Sequence, residues 1–192
     1  MDNWTNDVCG RRAKYVLIMA QSSKDWIIPE VINIGYGHQK RNLRQLTRKV
    51  LNTILGKWAY ACPINKLRVQ LHRWRGCHIG ENVYIGMYCI FDNLAPEGIY
   101  IKDNVSVNAN TMIITHFNPV DRFAKAFEAQ IRPVVIEEKA MVAVRCIILP
   151  GVRSGEYAIV SAGLTIDKDI PAYSMVREKH KREIVDTSFM FK

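Results

Sequence analysis

From Ile79 onward, large apolar residues recur every six positions: Ile79, Ile85 and Phe91, then Ile101, Val107 and Ile113, then Ile136, Val142 and Ile148. Val160 and Ile166 continue the last register, with Ser154 interrupting it. Four residues after most of these stands a second small or apolar side chain: Val83, Cys89, Val105, Thr111, Ala140, Cys146, Val152, Ala158 and Leu164. A helix repeats every 3.6 residues and a strand every two, so neither yields a ladder of sixes.

A six-residue apolar repeat fits a parallel β-helix, in which each hexapeptide forms one flat side of a triangular coil. Stacked coils bury a continuous aliphatic column, and each coil's backbone pairs with the next. Cys89 and Cys146 fall on inward ladder positions and read as core hydrophobes. With Cys9, Cys62 and Cys77 they form an odd, unpatterned set of five, which argues for a reducing compartment and against a disulfide framework. The run YVLIMA after RRAK is too short for a secretory h-region, and no stretch approaches the roughly 18 apolar residues of a membrane span. A cytoplasmic location is expected.

The pattern changes near residue 76. Leu43, Leu46, Val50, Ile54 and Trp58 follow helical steps, with Arg44, Arg48, Lys49 and Lys57 largely on other faces. A second helix is expected over Pro63 to Trp74. These helices either pack on the main body as a cap or form a basic amphipathic surface that leans on an anionic membrane. Residues 1–40 show no clear period. The expected division is residues 1–75 as an N-terminal arm and helical segment and residues 76–192 as the β-helix with its tail.

A formal charge of +9 favours an anionic partner: nucleic acid, a membrane, a polysaccharide or a phosphorylated cofactor. Nucleic acid is disfavoured, because no recognition motif or aromatic-basic stacking platform is present. The five histidines, His38, His72, His78, His116 and His180, lack the clustered spacing of metal ligands, so no metal is expected.

The ladder breaks twice. Phe91 to Ile101 spans ten residues, admitting DNLAPEG, and Ile113 to Ile136 spans 23, admitting a long excursion from Phe117 to Pro133. Long loops on a rigid scaffold carry function disproportionately. Asp92 stands at the lip of the first break and His116 at the lip of the second.

Four stretches, IGENVYIG, IYIKDNVSVNANTMIITH, VVIEEKAMVAVRCIILPGV and EYAIVSAGLTIDKDIPAYSMV, make roughly Gly76 to Ile184 resemble the hexapeptide-repeat acyltransferases. The segment DNLAPEGIYIKDNVSVNANTMIITH is most similar to the sugar and polysaccharide O-acetyltransferase branch. The resemblance implies an all-β, left-handed parallel β-helix, an exception to the usual crossover hand, with an extruded loop and an N-terminal helical segment. It implies that His116 is a general base that takes the proton of a sugar hydroxyl as that oxygen attacks the thioester of acetyl-CoA. Imidazole is largely neutral at neutral pH and suits that task.

Asp92 and Asn93 match the acceptor-holding region, where a carboxylate can receive sugar hydroxyls or orient the imidazole; a plain turn before Pro96 is the alternative. For CoA, the resemblance implies a backbone contact at Ala162 and basic contacts at Lys168 and Arg182. Ala143 and Val144, in MVAVR where relatives commonly have WIGAN, also fall where CoA should lie. REKHKR stands where relatives have AGNPAK. A homotrimer with sites shared between subunits is implied, with the apolar loop residues Phe117, Phe123, Ala124, Ala126, Phe127 and Ile131 buried against another copy. Rival expectations are a xenobiotic or nucleotide-sugar acetyltransferase, and a non-catalytic β-helix that serves in assembly.

Overall fold

The structure is a computed structural model that describes residues 32–33, 43–117 and 130–178. Its centre is a prism of short parallel strands with three faces. The first face stacks His78–Ile79, Ile99–Ile101, Val134–Ile136 and Arg153–Ser154, extended by a bridge from Ser154 to Ile170. The second stacks Tyr84–Ile85, Ser106–Val107, Met141–Val142, Ile159–Val160 and Met175–Val176. The third stacks Ile90–Phe91, Met112–Ile113, Ile147–Ile148 and Thr165–Ile166.

The register is the one the ladder requires. Ile79 pairs with Ile101 and Ile101 with Ile136, Ile85 with Val107 and Val107 with Val142, Phe91 with Ile113 and Ile113 with Ile148. Each of these residues is buried. The second set of small residues turns inward at the corners: Val83, Cys89, Val105, Thr111, Ala140, Cys146, Val152 and Ala158 are all buried, and Leu164 is partly so. Ser154 occupies a core position, and its hydroxyl finds no partner among the described residues.

Corners turn through left-handed backbone conformations, one per coil and stacked on one another. Asn82, Asn104, Lys139, Tyr157 and Tyr173 have φ between 53° and 60° at the corner between the first and second faces. Tyr88, Asn110 and Arg145, with φ between 60° and 63°, do the same between the second and third. Asparagine tolerates this region; a longer side chain is strained by it.

Two helices, α1 (Leu43–Ala61) and α2 (Asn65–Trp74), close the open end of the first coil. A coil end leaves unpaired backbone groups on every face. The end is sealed by side chains. Arg73 donates to the Ile79 and Gly80 carbonyls, Arg68 to Ile85, and Arg75 to Phe91 and Asp92. Asn65 copies a strand, donating to the Val83 carbonyl and accepting from the Ile85 N–H, both at 3.0 Å.

The helices form the expected cap, but α1 packs through Asn52 and Ala59, and its apolar stripe of Leu43, Leu46, Val50, Ile54 and Trp58 is exposed. One expectation is corrected here. Ile131 was assigned to a surface that another copy would cover. It is 5% exposed within its own chain, in an antiparallel sheet where Gln130–Ile131 lies between His116–Phe117 and Ile32–Asn33. Phe123, Ala124, Ala126 and Phe127 lie outside the described residues.

Candidate active site

Both breaks in the ladder open at the same corner, between the third face and the first. Asp92 leaves the third face directly after Phe91, and Thr115 and His116 leave it one coil later, after Ile113. Stacking therefore brings together groups 24 positions apart in sequence.

The Asp92 side chain is 0% exposed, and His116 Nδ1 lies 2.5 Å from its Oδ2. The same oxygen accepts the backbone N–H groups of Thr115 at 2.8 Å and His116 at 3.1 Å. The Thr115 hydroxyl sits 2.9 Å from Asp92 Oδ2 and 2.9 Å from the Ala95 carbonyl. On the other side Oδ1 accepts the Leu94 N–H at 2.7 Å, turning the chain into DNLAPEG. Burial alone would raise the Asp92 pKa. The hydrogen bonds from His116, Thr115 and Leu94 outweigh it and hold the carboxyl below its ordinary value of 3.8.

An ionised Asp92 fixes the imidazole. Nδ1 carries the proton and donates it to the carboxylate, so Nε2 is left with its lone pair. The His116 side chain is 34% exposed, so the free edge of the ring is accessible from solvent. A buried carboxylate behind a half-exposed imidazole is the arrangement of an oriented general base.

Of the two roles open to Asp92, the contact with His116 Nδ1 is the one an orienting carboxylate makes. Both of its oxygens are engaged within the chain and neither meets solvent. Asn93 is exposed, and its Oδ1 accepts from Arg75 at 2.5 Å. Arg75 is a member of the site that sequence reasoning missed. It caps α2, donates to the Phe91 and Asp92 carbonyls at 2.9 Å each, and places Nη1 3.0 Å from His72 Nδ1. Burial first, then Arg75 and Arg68, lowers the His72 pKa to about 3, so its ring is neutral and accepts from Arg75. Thr115 was missed too, although its place beside the catalytic candidate in THF was a usable signal.

The expected CoA residues fall on two edges. Ala143, Val144 and Ala162 share the corner between the second and third faces. There the Val144 carbonyl accepts from Gly163 at 2.9 Å, and the Ala143 carbonyl accepts from the Thr111 hydroxyl at 3.0 Å. Val144 and Ala162 are exposed. Lys168, also exposed, lies on the corner that carries His116, two coils further along. Arg182 lies outside the described residues. The third face therefore separates the imidazole from the Ala143–Ala162 edge within one chain. Among the described residues no group of three His, Cys, Asp or Glu is placed to hold a metal, and no helix is long and apolar enough to cross a membrane.

Known proteins resemble this chain in sequence and in fold. The acetyltransferase-like protein YvoF of Bacillus subtilis is 30% identical over 123 residues, which cover 64% of this chain and 68% of YvoF. The chain belongs to the hexapeptide-repeat acyltransferases. A galactoside O-acetyltransferase of Lactococcus lactis is 33% identical over 97 residues, about half of each chain at 48% and 47%. A hexapeptide-repeat acetyltransferase of Vibrio cholerae, solved with acetyl-coenzyme A, superposes with a TM-score of 0.54 at 21% identity, covering 70% of this chain and 84% of that one. No family model matches the sequence. As a member of the family, the chain carries its repeat fold together with a histidine at the mouth of its extruded excursion.

Proposed function

We propose that the chain moves an acetyl group from acetyl-CoA to a hydroxyl of a sugar or surface-polysaccharide precursor, with His116 as general base. The observation that carries this reading is the contact between His116 Nδ1 and the buried Asp92 at the lip of the excursion. Likeness to a galactoside O-acetyltransferase and to a structure solved with acetyl-coenzyme A supports the donor and the acceptor class.

In this mechanism the acceptor hydroxyl approaches His116 Nε2. Its oxygen attacks the thioester carbonyl as its proton passes to Nε2, and the ionised Asp92 stabilises the imidazolium. The tetrahedral intermediate collapses, the C–S bond breaks, and the thiolate of CoA leaves. The proton on His116 then returns to that sulfur. No acyl-enzyme forms. The Asn93 amide nitrogen is the group best placed beside Asp92 to meet the acceptor. Ala143, Val144 and Ala162 would line the pantetheine path, with Lys168 and Arg182 meeting the phosphates of CoA.

In this reading the coil is left-handed, residues 1–75 are arm and cap, and residues 76–192 are the acyltransferase unit. Because the two edges are separated within one chain, a homotrimer supports the site best, with His116 of one copy facing the Ala143–Ala162 edge of the next. Light scattering should then report three times the 22.1 kDa chain mass. Free thiols at Cys62, Cys77, Cys89 and Cys146 fit a cytoplasmic site of action.

The test is a screen of sugar acceptors with acetyl-CoA, following thiol release. His116→Ala should lower kcat by about 10²–10⁴-fold with the fold intact. A folded His116→Ala protein with wild-type turnover would remove the base from the mechanism.

A further inference from the structure

Residues 31–80 contain ten Lys and Arg and no Asp or Glu, so a net charge of +9 leaves the remainder of the chain close to neutral. Three of those cations, Arg68, Arg73 and Arg75, are bonded to first-coil carbonyls. Arg48, Lys49, Lys57 and Lys66 are exposed on the two helices.

The orientation of α1 is the reverse of a packing helix. At about 100° per residue, Leu43, Leu46, Val50, Ile54 and Trp58 fall within about 60° of one line, and Asn52 and Ala59 fall within about 20° of the opposite line. The apolar line faces solvent: Leu43 is 76% exposed and Trp58 68%, while Asn52 is 7% and Ala59 0%. On α2, Trp74 is 60% exposed. A helix this apolar on its outer side has an occupant.

Charge selects the occupant. A second copy would set the same cations against themselves, with no acid in the segment to relieve them. An anionic bilayer answers both features: its acyl boundary takes the aliphatic stripe, its headgroup level suits Trp58 and Trp74, and its phosphates meet the lysines. We propose that α1 and the outer side of α2 lay this protein on the headgroup layer of an anionic membrane.

This deepens the acetyltransferase reading but rests on the helix pair alone. Arg75 ties the end of α2 to Asp92 and Asn93, so the membrane-facing end adjoins the proposed site. A lipid-linked saccharide is then the class of acceptor such a site would meet.

Full-length protein is sedimented with phosphatidylcholine vesicles and with vesicles that also contain phosphatidylglycerol, at low and high salt. The expected result is at least about tenfold stronger partition onto the anionic vesicles, falling as salt rises. Leu46→Ser/Ile54→Ser/Trp58→Ser and Lys49→Gln/Lys57→Gln/Lys66→Gln should each lose most of that partition. Both should keep their circular dichroism and their acetyl transfer to a soluble acceptor. Three results overturn the proposal: no sedimentation, equal sedimentation with neutral vesicles, or undiminished binding by the variants. A drop in assembly size of the serine variant by light scattering would assign the face to a second copy and overturn it as well. Because no acetyl-CoA enters the vesicle assay, a failure of the catalytic reading leaves this result intact.

Discussion

Replacing Asp92 with Asn tests the centre of the site, because the new side chain is nearly isosteric and cannot satisfy both sides of the pocket. Asp92 Oδ2 faces His116 Nδ1 at 2.5 Å and the Thr115 N–H at 2.8 Å, while Oδ1 faces the Leu94 N–H at 2.7 Å. All of these neighbours are donors, and an amide offers only one acceptor oxygen. With that oxygen toward His116, the amide hydrogens meet the Leu94 N–H, and a buried donor left unpaired costs about 1–3 kcal/mol. The histidine then faces a neutral group, and loss of a charge-assisted hydrogen bond of about 1.5–3 kcal/mol alone slows the step by about 10–100-fold. With the amide reversed, Nδ1 must accept, the proton moves to Nε2, and the base is lost. The expected fall in kcat for Asp92→Asn is therefore about 10²–10⁴-fold, with KM for acetyl-CoA little changed. Thiol release measures it, alongside thermal denaturation. Stability carries a second signature. The Asp92 pKa is lowered from 3.8 in the folded protein, so its stabilisation is present above that value and lost as pH falls through the folded value. The stability gap between wild type and Asp92→Asn should close in acid. Turnover within about threefold of wild type, or a gap that widens in acid, would refute this account of the dyad.

Ser154→Ala removes a buried hydroxyl without a partner and should stabilise the protein by about 1 kcal/mol in denaturant titration; a clear loss would mean the hydroxyl is bonded. Arg145 holds φ at 60°, and Arg145→Asn should add about 1 kcal/mol, or about 2–4 °C in Tm. An unchanged or lower Tm would show that the corner is not strained. Lys168→Ala should weaken binding of CoA more than of pantetheine in calorimetry, with the difference shrinking as salt rises. Equal losses would take Lys168 away from the phosphates.

The prism was legible because its period is imposed by the backbone. Every residue in the ladder of sixes lands in the core, and the exception, Ser154, lands there as well. The site was half legible. The sequence marks Asp92 and His116 as the lips of separate excursions, but only stacking puts both excursions on one corner, and no local pattern encodes that. Arg75 was invisible because an arginine at the end of a basic helix reads as a solvated charge. For α1 the period was right, but it left open which face packs: the helix meets the prism through Asn52 and Ala59 and leaves its apolar stripe outside. Apolar spacing shows that a helix has an apolar face, not which surface covers it.

The same residues that close the fold also build the site. Arg68, Arg73 and Arg75 read from sequence as part of a basic surface, yet their guanidinium groups sit on coil carbonyls that would otherwise have no partner. Arginine suits this task because its planar fork reaches several carbonyls from one side chain and keeps its charge when buried. Arg75 alone holds the carbonyls of Phe91 and Asp92 and the amide oxygen of Asn93. It thereby sets the path on which the chain leaves the third face, and that path sets where the Asp92 carboxylate points. In a repeat protein each coil needs only its neighbours, so an end coil is free to be specialised. Here the specialised end carries the cap, the unpaired helix face and the anchor of the candidate site within one short stretch of chain, while the later coils, uniform and well paired, keep the edges expected to seat CoA.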